Sequence, residues 1–108
     1  MTKRYTKYNN QNTNGYDSKK ESKRAWELQM LQRAGKISDL QEQVWIELQE
    51  AFTYDGKKEQ AIHYVADFVF QENGREVVED VKGMKTEAYK LKRKMLLKRY
   101  PEILFRET

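Results

Sequence analysis

The sequence contains no cysteine, one proline and a single histidine, His63, in 108 residues. Without cysteine there is no disulfide framework, no thiolate zinc site and no thiol nucleophile. One histidine leaves little for a zinc-hydrolase cluster or a Ser-His-Asp triad. Long apolar runs are missing as well: nothing approaches the ~18–20 residues of a membrane span, and the N-terminal MTKRYTKYNN has no apolar signal-peptide core. A membrane partner is therefore not expected, and the cytoplasm is the expected compartment. Apolar residues make up only 38% of the chain, and a chain this short buries only ~60–70% of the surface it exposes when unfolded. One thin-cored domain is the ceiling. What the sequence does have is charge, 21 Lys plus Arg against 17 Asp plus Glu for a net +4, which hints at a polyanionic partner.

Residues 1–16, MTKRYTKYNNQNTNGY, show neither a 3.6 nor a 2.0 period and read as a flexible basic tail ahead of a domain over 17–108. DSKKESKRAWELQMLQRAG then carries helix signals: Asp17 or Ser18 as N-cap, Glu21 three residues after Ser18 as a capping box, and Gly35 as the stop. The expected helix runs from Lys19 to Ala34 with Ala25, Leu28 and Leu31 inward. QVWIELQEAF reads as a strand from Gln43 to Phe52, followed by a turn at Tyr54-Asp55-Gly56-Lys57. AIHYVADFVFQ and REVVEDVKG are two more strands, joined through Asn73-Gly74, a type I′ hairpin signal, and closed by Gly83. Thr86 caps a second helix from Glu87 to Tyr100, stopped by Pro101, with Ala88, Leu91 and Met95 on its core side. EILFRE supplies a last strand. The expected order is α-β-β-β-α-β.

With Asn73 and Gly74 as the loop, Glu72 faces Arg75, Val69 faces Val78 and Asp67 faces Asp80, which puts two acids ~4.5–5.5 Å apart at Cβ. Alternation then assigns Val65, Asp67, Val69, Val78, Asp80 and Lys82 to one face and Glu79 to the other. Opposed like charges destabilise a hairpin, and a hard divalent cation compensates them naturally, since Mg²⁺ binds through one or two carboxylates plus waters and phosphate oxygens. The alternative is that the acids point to solvent, or that Lys82 neutralises them in an ion-pair cluster. Glu21 falls on the inward stripe of the first helix, either as the capping-box partner of Ser18 or as a carboxylate reaching the same cation.

Glu21 on a helix, Asp67 on a strand and Asp80-Val81-Lys82 on the next strand resemble the PD-(D/E)xK nuclease superfamily. DSKKESKRAWELQMLQRAGKISDLQ, YVADFVF and VVEDVKGMKTEAYKLKRKMLLKRYPEILFRE look like small phage-derived proteins described as Holliday junction resolvases or endonucleases. Ala66 stands where the motif name has proline, and Asp80 is the shorter of the two permitted acids. The resemblance implies an α+β, restriction-endonuclease-like αβββαβ core with a mixed sheet flanked by helices. It also implies Asp67 and Asp80 as metal-binding acids, the Val81 carbonyl as a further ligand, Lys82 as the catalytic lysine and Glu21 as the helical acid. Mg²⁺ is the expected cofactor, with Mn²⁺ as a substitute.

Lys90, Lys94 and Lys98 form a basic ridge on the second helix, and Lys19, Lys20, Lys23 and Arg24 surround Glu21; both groups suit phosphate contacts, although any lysine row also makes an ordinary solvated face. Nothing resembles a base-reading module, so branched or duplex DNA recognised by shape is the expected substrate. The resulting expectation is a metal-dependent, structure-selective DNA endonuclease acting as a homodimer, in the host cytoplasm if phage-encoded. A non-catalytic DNA-binding or phage assembly module on the same fold is the alternative. His63 is expected on the Asp67 face, as a substrate or water contact or in a surface role.

Overall fold

The computed structural model describes the backbone of residues 5–7 and residues 19–81 and 85–108 in full. The expected Ser18 cap, the stop at Gly83, the domain boundary at 16/17 and Lys82 itself lie outside the described residues. The fold is α+β. Strand β1 (Tyr5–Lys7) precedes helix α1 (Lys19–Arg33); β2 (Ser38–Gln49), β3 (Phe52–Tyr54), β4 (Lys57–Glu59), β5 (Ile62–Glu72) and β6 (Arg75–Asp80) follow, then helix α2 (Glu87–Arg99) and β7 (Leu104–Glu107). Five strands make one mixed sheet in the order β1-β2-β5-β6-β7, with β6 and β7 parallel across the α2 connection and the other pairs antiparallel. Apart from β1 and the small β3-β4 ribbon, this is the α-β-β-β-α-β order.

Helix α1 ends as its glycine dictates. Gly35 has φ +77°, and the bonds Lys36 N to Leu31 O (2.9 Å) and Gly35 N to Gln32 O (3.0 Å) close a Schellman turn. Thr86 caps α2 by accepting a hydrogen bond from Tyr89 N. The β5-β6 turn is the one expected from Asn-Gly: Asn73 and Gly74 have φ of +53° and +76°, and the register pairs Glu72 with Arg75, Val69 with Val78 and Phe68 with Glu79.

Neighbouring residues of β6 face opposite sides of the sheet, and each side has its own core. Val77 packs with Phe68, Phe70, Ile37 and the α1 residues Ala25 and Leu28. Val78 packs with Val69, Ala66, Tyr64, Val44 and Ile46 and with Leu96 of α2. Tyr100 Oη donates to Glu47 O at 2.6 Å and Arg99 Nη1 to Leu48 O at 2.8 Å, which pins the end of α2 to β2.

Four expectations change. The first strand begins at Ser38, not Gln43, and stops at Gln49; positive φ at Asp39 (+54°) and Gln43 (+53°) breaks the alternation that would have revealed it. Phe52 instead starts a separate hairpin with Lys57–Glu59, exposed at every residue. Tyr5–Lys7 is not featureless tail but pairs with Val44–Ile46, because the outer edge of β2 offers unpaired backbone groups to any extended segment. On α2 the fully buried residue is Leu96, while Ala88 and Leu91 are exposed; the helix leans on β2 and β5 through its C-terminal half.

Glu79, fully buried, holds α1 onto the sheet. Arg24 grips it through Nε (2.5 Å) and Nη2 (3.1 Å), Thr108 Oγ1 donates to it at 3.1 Å, and Arg106 Nη1 stands 3.8 Å away. The hydrogen bond to Glu79 raises the Arg24 pKa further against the opposing effect of burial. Removing Arg24 takes from the buried Glu79 both of its short arginine bonds and leaves only the more distant Arg106 and the Thr108 hydroxyl, so Arg24→Met should lower unfolding free energy by about 3 kcal/mol. Pairing it with Glu79→Leu should recover most of that loss; urea denaturation of the single and double variants checks both.

Candidate functional site

The ladder between β5 and β6 runs to Phe68-Glu79, and Asp67 and Asp80 sit where it stops. Beyond that point carboxylates replace backbone carbonyls as acceptors. Asp67 N donates to Asp80 Oδ1 at 3.0 Å, and Val81 N donates to Asp67 Oδ2 at 2.8 Å. The two acids are thus adjacent, each fastened to the other's strand. Asp80 is fully buried and Asp67 half-buried.

The sheet changes faces here. Tyr64 and Ala66 pack on the α2 side of β5, while Phe68 and Phe70, of the same parity, pack on the α1 side. β2 does likewise, with Leu40 on the α1 side and Val44 and Ile46 on the α2 side. The reversals coincide at Asp67 and Gln43, which fall between the pairs Glu42-Phe68 and Val44-Ala66. The single face expected for Val65, Asp67 and Val69 is therefore not formed: Val69 is core and Val65 is exposed.

Glu21 arrives from the first turn of α1, 4% exposed. It belongs to the acid group through Gln43, whose Nε2 donates to Glu21 Oε2 at 3.1 Å and stands 3.5 Å from Asp67 Oδ1. Helix α1 and strands β2, β5 and β6 thus converge on three carboxylates and one amide. Sequence reasoning passed over Gln43. Only its place across from Asp67, between the pairs Glu42-Phe68 and Val44-Ala66, marks it, and that register is hidden by the ribbon inserted between β2 and β5.

The oxygen-only donor set of Glu21, Asp67 and Asp80, followed by the Val81 peptide, has the chemistry that hard cations such as Mg²⁺ take. Among the described residues no three acids or histidines stand close enough to enclose a metal ion as they are placed; the Gln43 amide lies between Glu21 and Asp67. The donor types fit a divalent cation.

The cations divide into two kinds. Lys19, Lys20 and Lys23 are exposed around Glu21, and Lys90, Lys94 and Lys98 are exposed along α2, where Lys90 pairs with Glu87 at 3.3 Å. Arg24, expected among the phosphate contacts, is instead bound to Glu79 and to Glu27 at 3.2 Å. Its position one turn from Glu21 puts it over the buried Glu79. His63 also lies elsewhere, edge-on to Trp45 at 5.5 Å between ring centroids, in a groove of about 470 Å³ with Val65, Leu91 and Met95.

Tyr89 borders the acids from α2. Burial pushes its phenol pKa up, the hydrogen bond it donates to Glu107 adds to this, and the charge of Asp80 adds further. Glu107 is held below the usual carboxylate range by that hydrogen bond and by Lys85 at 3.1 Å. A phenol pKa raised in the folded state contributes stability that is complete below the unfolded value of ~10 and is lost as pH climbs through the folded value. Thermal midpoints of wild type and Tyr89→Phe, followed from neutral pH upward, should show a steeper alkaline fall in the wild type.

A family model described as "Protein of unknown function (DUF1064)" matches residues 1–106, which takes in the N-terminal segment as well as both helices and the sheet. No curated protein and no solved structure matches the chain.

Proposed function

The chain belongs to the DUF1064 family of proteins of unknown function, and from its own residues we propose that it is a metal-dependent DNA endonuclease of the PD-(D/E)xK kind, selective for branched or duplex DNA structure. The observation that carries this reading is the convergence of Glu21, Asp67 and Asp80 from a helix and two strands at one point of the sheet, with Asp80-Val81-Lys82 in sequence behind it. Asp67 and Asp80 would hold Mg²⁺ or Mn²⁺ with the Val81 carbonyl, and Glu21 would complete the shell of metal or water. When bound, such a cation polarises the phosphate and lowers the pKa of an attacking water.

The residues of the chain do the rest. The burial of Asp80 and the bonds across the β5-β6 opening fix the two acids before any substrate arrives, so little side-chain entropy remains to be lost on binding. Lys82 is proposed to orient the nucleophile. Lys19, Lys20 and Lys23 would draw phosphate toward Glu21, and Lys90, Lys94 and Lys98 would hold the flanking backbone. Contacts of this type position a duplex and do not read its sequence. Cutting both strands of a junction requires two such centres, so a homodimer is part of the proposal.

The expected result is Mg²⁺-dependent cleavage of Holliday junction, flap or duplex DNA that disappears in Asp67→Ala and in Lys82→Ala while both variants keep their fold. Full activity in both would sink the reading. A non-catalytic DNA-binding or phage assembly module on the same fold is favoured by one observation, the Gln43 amide standing between Glu21 and Asp67. DNA binding indifferent to Mg²⁺ and to Asp80→Ala, with no substrate cut, would select it.

The ridge gives a separate prediction. Removing one lysine that neutralises a phosphate should reduce the slope of log K against log salt by about 0.9 on duplex DNA. Lys94→Gln with Lys98→Gln should therefore flatten the salt dependence by nearly two, with the melting temperature unchanged because both lysines are exposed. Fluorescence anisotropy across a salt series measures it.

A further inference from the structure

Gln43 is an unusual residue for its position. It lies inside a twelve-residue strand with φ +53°, a left-handed conformation that costs a non-glycine residue of order 1–3 kcal/mol and persists only where the surroundings enforce it. What it achieves there is specific: one amide nitrogen is placed 3.1 Å from Glu21 Oε2 and 3.5 Å from Asp67 Oδ1. An amide N–H₂ carries two donors and a partial positive charge. Between two carboxylates it supplies, in weaker form, what a cation supplies: attraction to both, and relief of their mutual repulsion.

We propose that Gln43 is a positioning residue that competes with the divalent cation for Glu21 and Asp67, bridging the two carboxylates in the cation-free chain and giving up that bridge when the cation binds. The inference rests on the metal-dependent reading above. It explains how Glu21 and Asp67, from a helix and a strand, can be held on one amide before the cation arrives. A side chain whose only task was to pack a strand would not need a strained backbone to aim a polar group at two acids from different elements. The same bridge lowers cation affinity, because a charge-assisted hydrogen bond must be surrendered for each cation bound.

The test is calorimetric titration of Mn²⁺ into the full chain without DNA. Wild type should bind and Asp67→Ala should not. Gln43→Leu deletes the bridge, and Gln43→Gly deletes it while also relieving the left-handed backbone, so at least one folded variant is expected. Both should bind Mn²⁺ about tenfold more tightly than wild type, the factor corresponding to one charge-assisted hydrogen bond no longer given up. Affinity that is unchanged or weaker in these variants overturns the competition, even though wild-type binding and its loss in Asp67→Ala would leave the metal-dependent reading standing. Absence of Mn²⁺ binding by wild type overturns both. In the wild type itself, the Gln43 side-chain amide resonance should move when Mg²⁺ is added; a stationary resonance in the presence of Mg²⁺ binding overturns the inference without any variant.

Discussion

Glu79 and Asp80 are consecutive and both fully buried, yet Glu79 is answered by Arg24 from α1 and Asp80 by the Asp67 N–H of the neighbouring strand; the register of the β5-β6 hairpin is what makes this possible. Asn73 and Gly74 accept positive φ and set that register. A slip of one residue would exchange the faces of every β6 side chain. Val77 and Val78 would trade cores, Glu79 would lose Arg24, and Asp80 would leave Asp67. Each is a buried-charge or packing defect of several kcal/mol, against a total stability of about 5–15 kcal/mol for a domain of ordinary size. The register therefore fixes the core and the candidate site together.

Buried acid is treated in two ways. Between α1 and the sheet, Glu79 is met by a bidentate arginine and a hydroxyl, with a second arginine 3.8 Å away. At the opening of the hairpin three carboxylates, Glu21, Asp67 and Asp80, are drawn together from three elements, and backbone N–H groups and one amide hold them in position. Two unit charges ~5 Å apart repel by about 3 kcal/mol at an effective dielectric of ~20, so gathering acids of like sign has a cost that a lone ion pair does not carry.

Legibility in the sequence followed locality. The β5-β6 hairpin and both helices could be read because Asn73-Gly74, Gly35 and Thr86 act within a few residues of themselves, and the facing of Asp67 and Asp80 came with the hairpin. The start of β2 was hidden, since Asp39 and Gln43 adopt left-handed φ without the glycine that would have announced it. Arg24 looked like a phosphate ligand for the same reason that Lys23 did: one dimension cannot show that Glu79, 55 positions away, waits beneath it. The core face of α2 was legible only in part: Met95 packs against the core as expected, while Ala88 is exposed and Leu91 is left at a groove.

The reversal of faces at Gln43 and Asp67 ties these strands together. A regular ladder would have spent the N–H of Asp67 and of Val81 on backbone carbonyls, taking from the two carboxylates the main-chain donors that fasten them. By ending the β5-β6 pairing at Phe68-Glu79, the fold releases those N–H groups to the acids, and by kinking β2 opposite the same point it turns Gln43 toward Glu21. The irregularity that obscures the strand in the sequence is thus the irregularity that brings Gln43, Glu21 and Asp67 together.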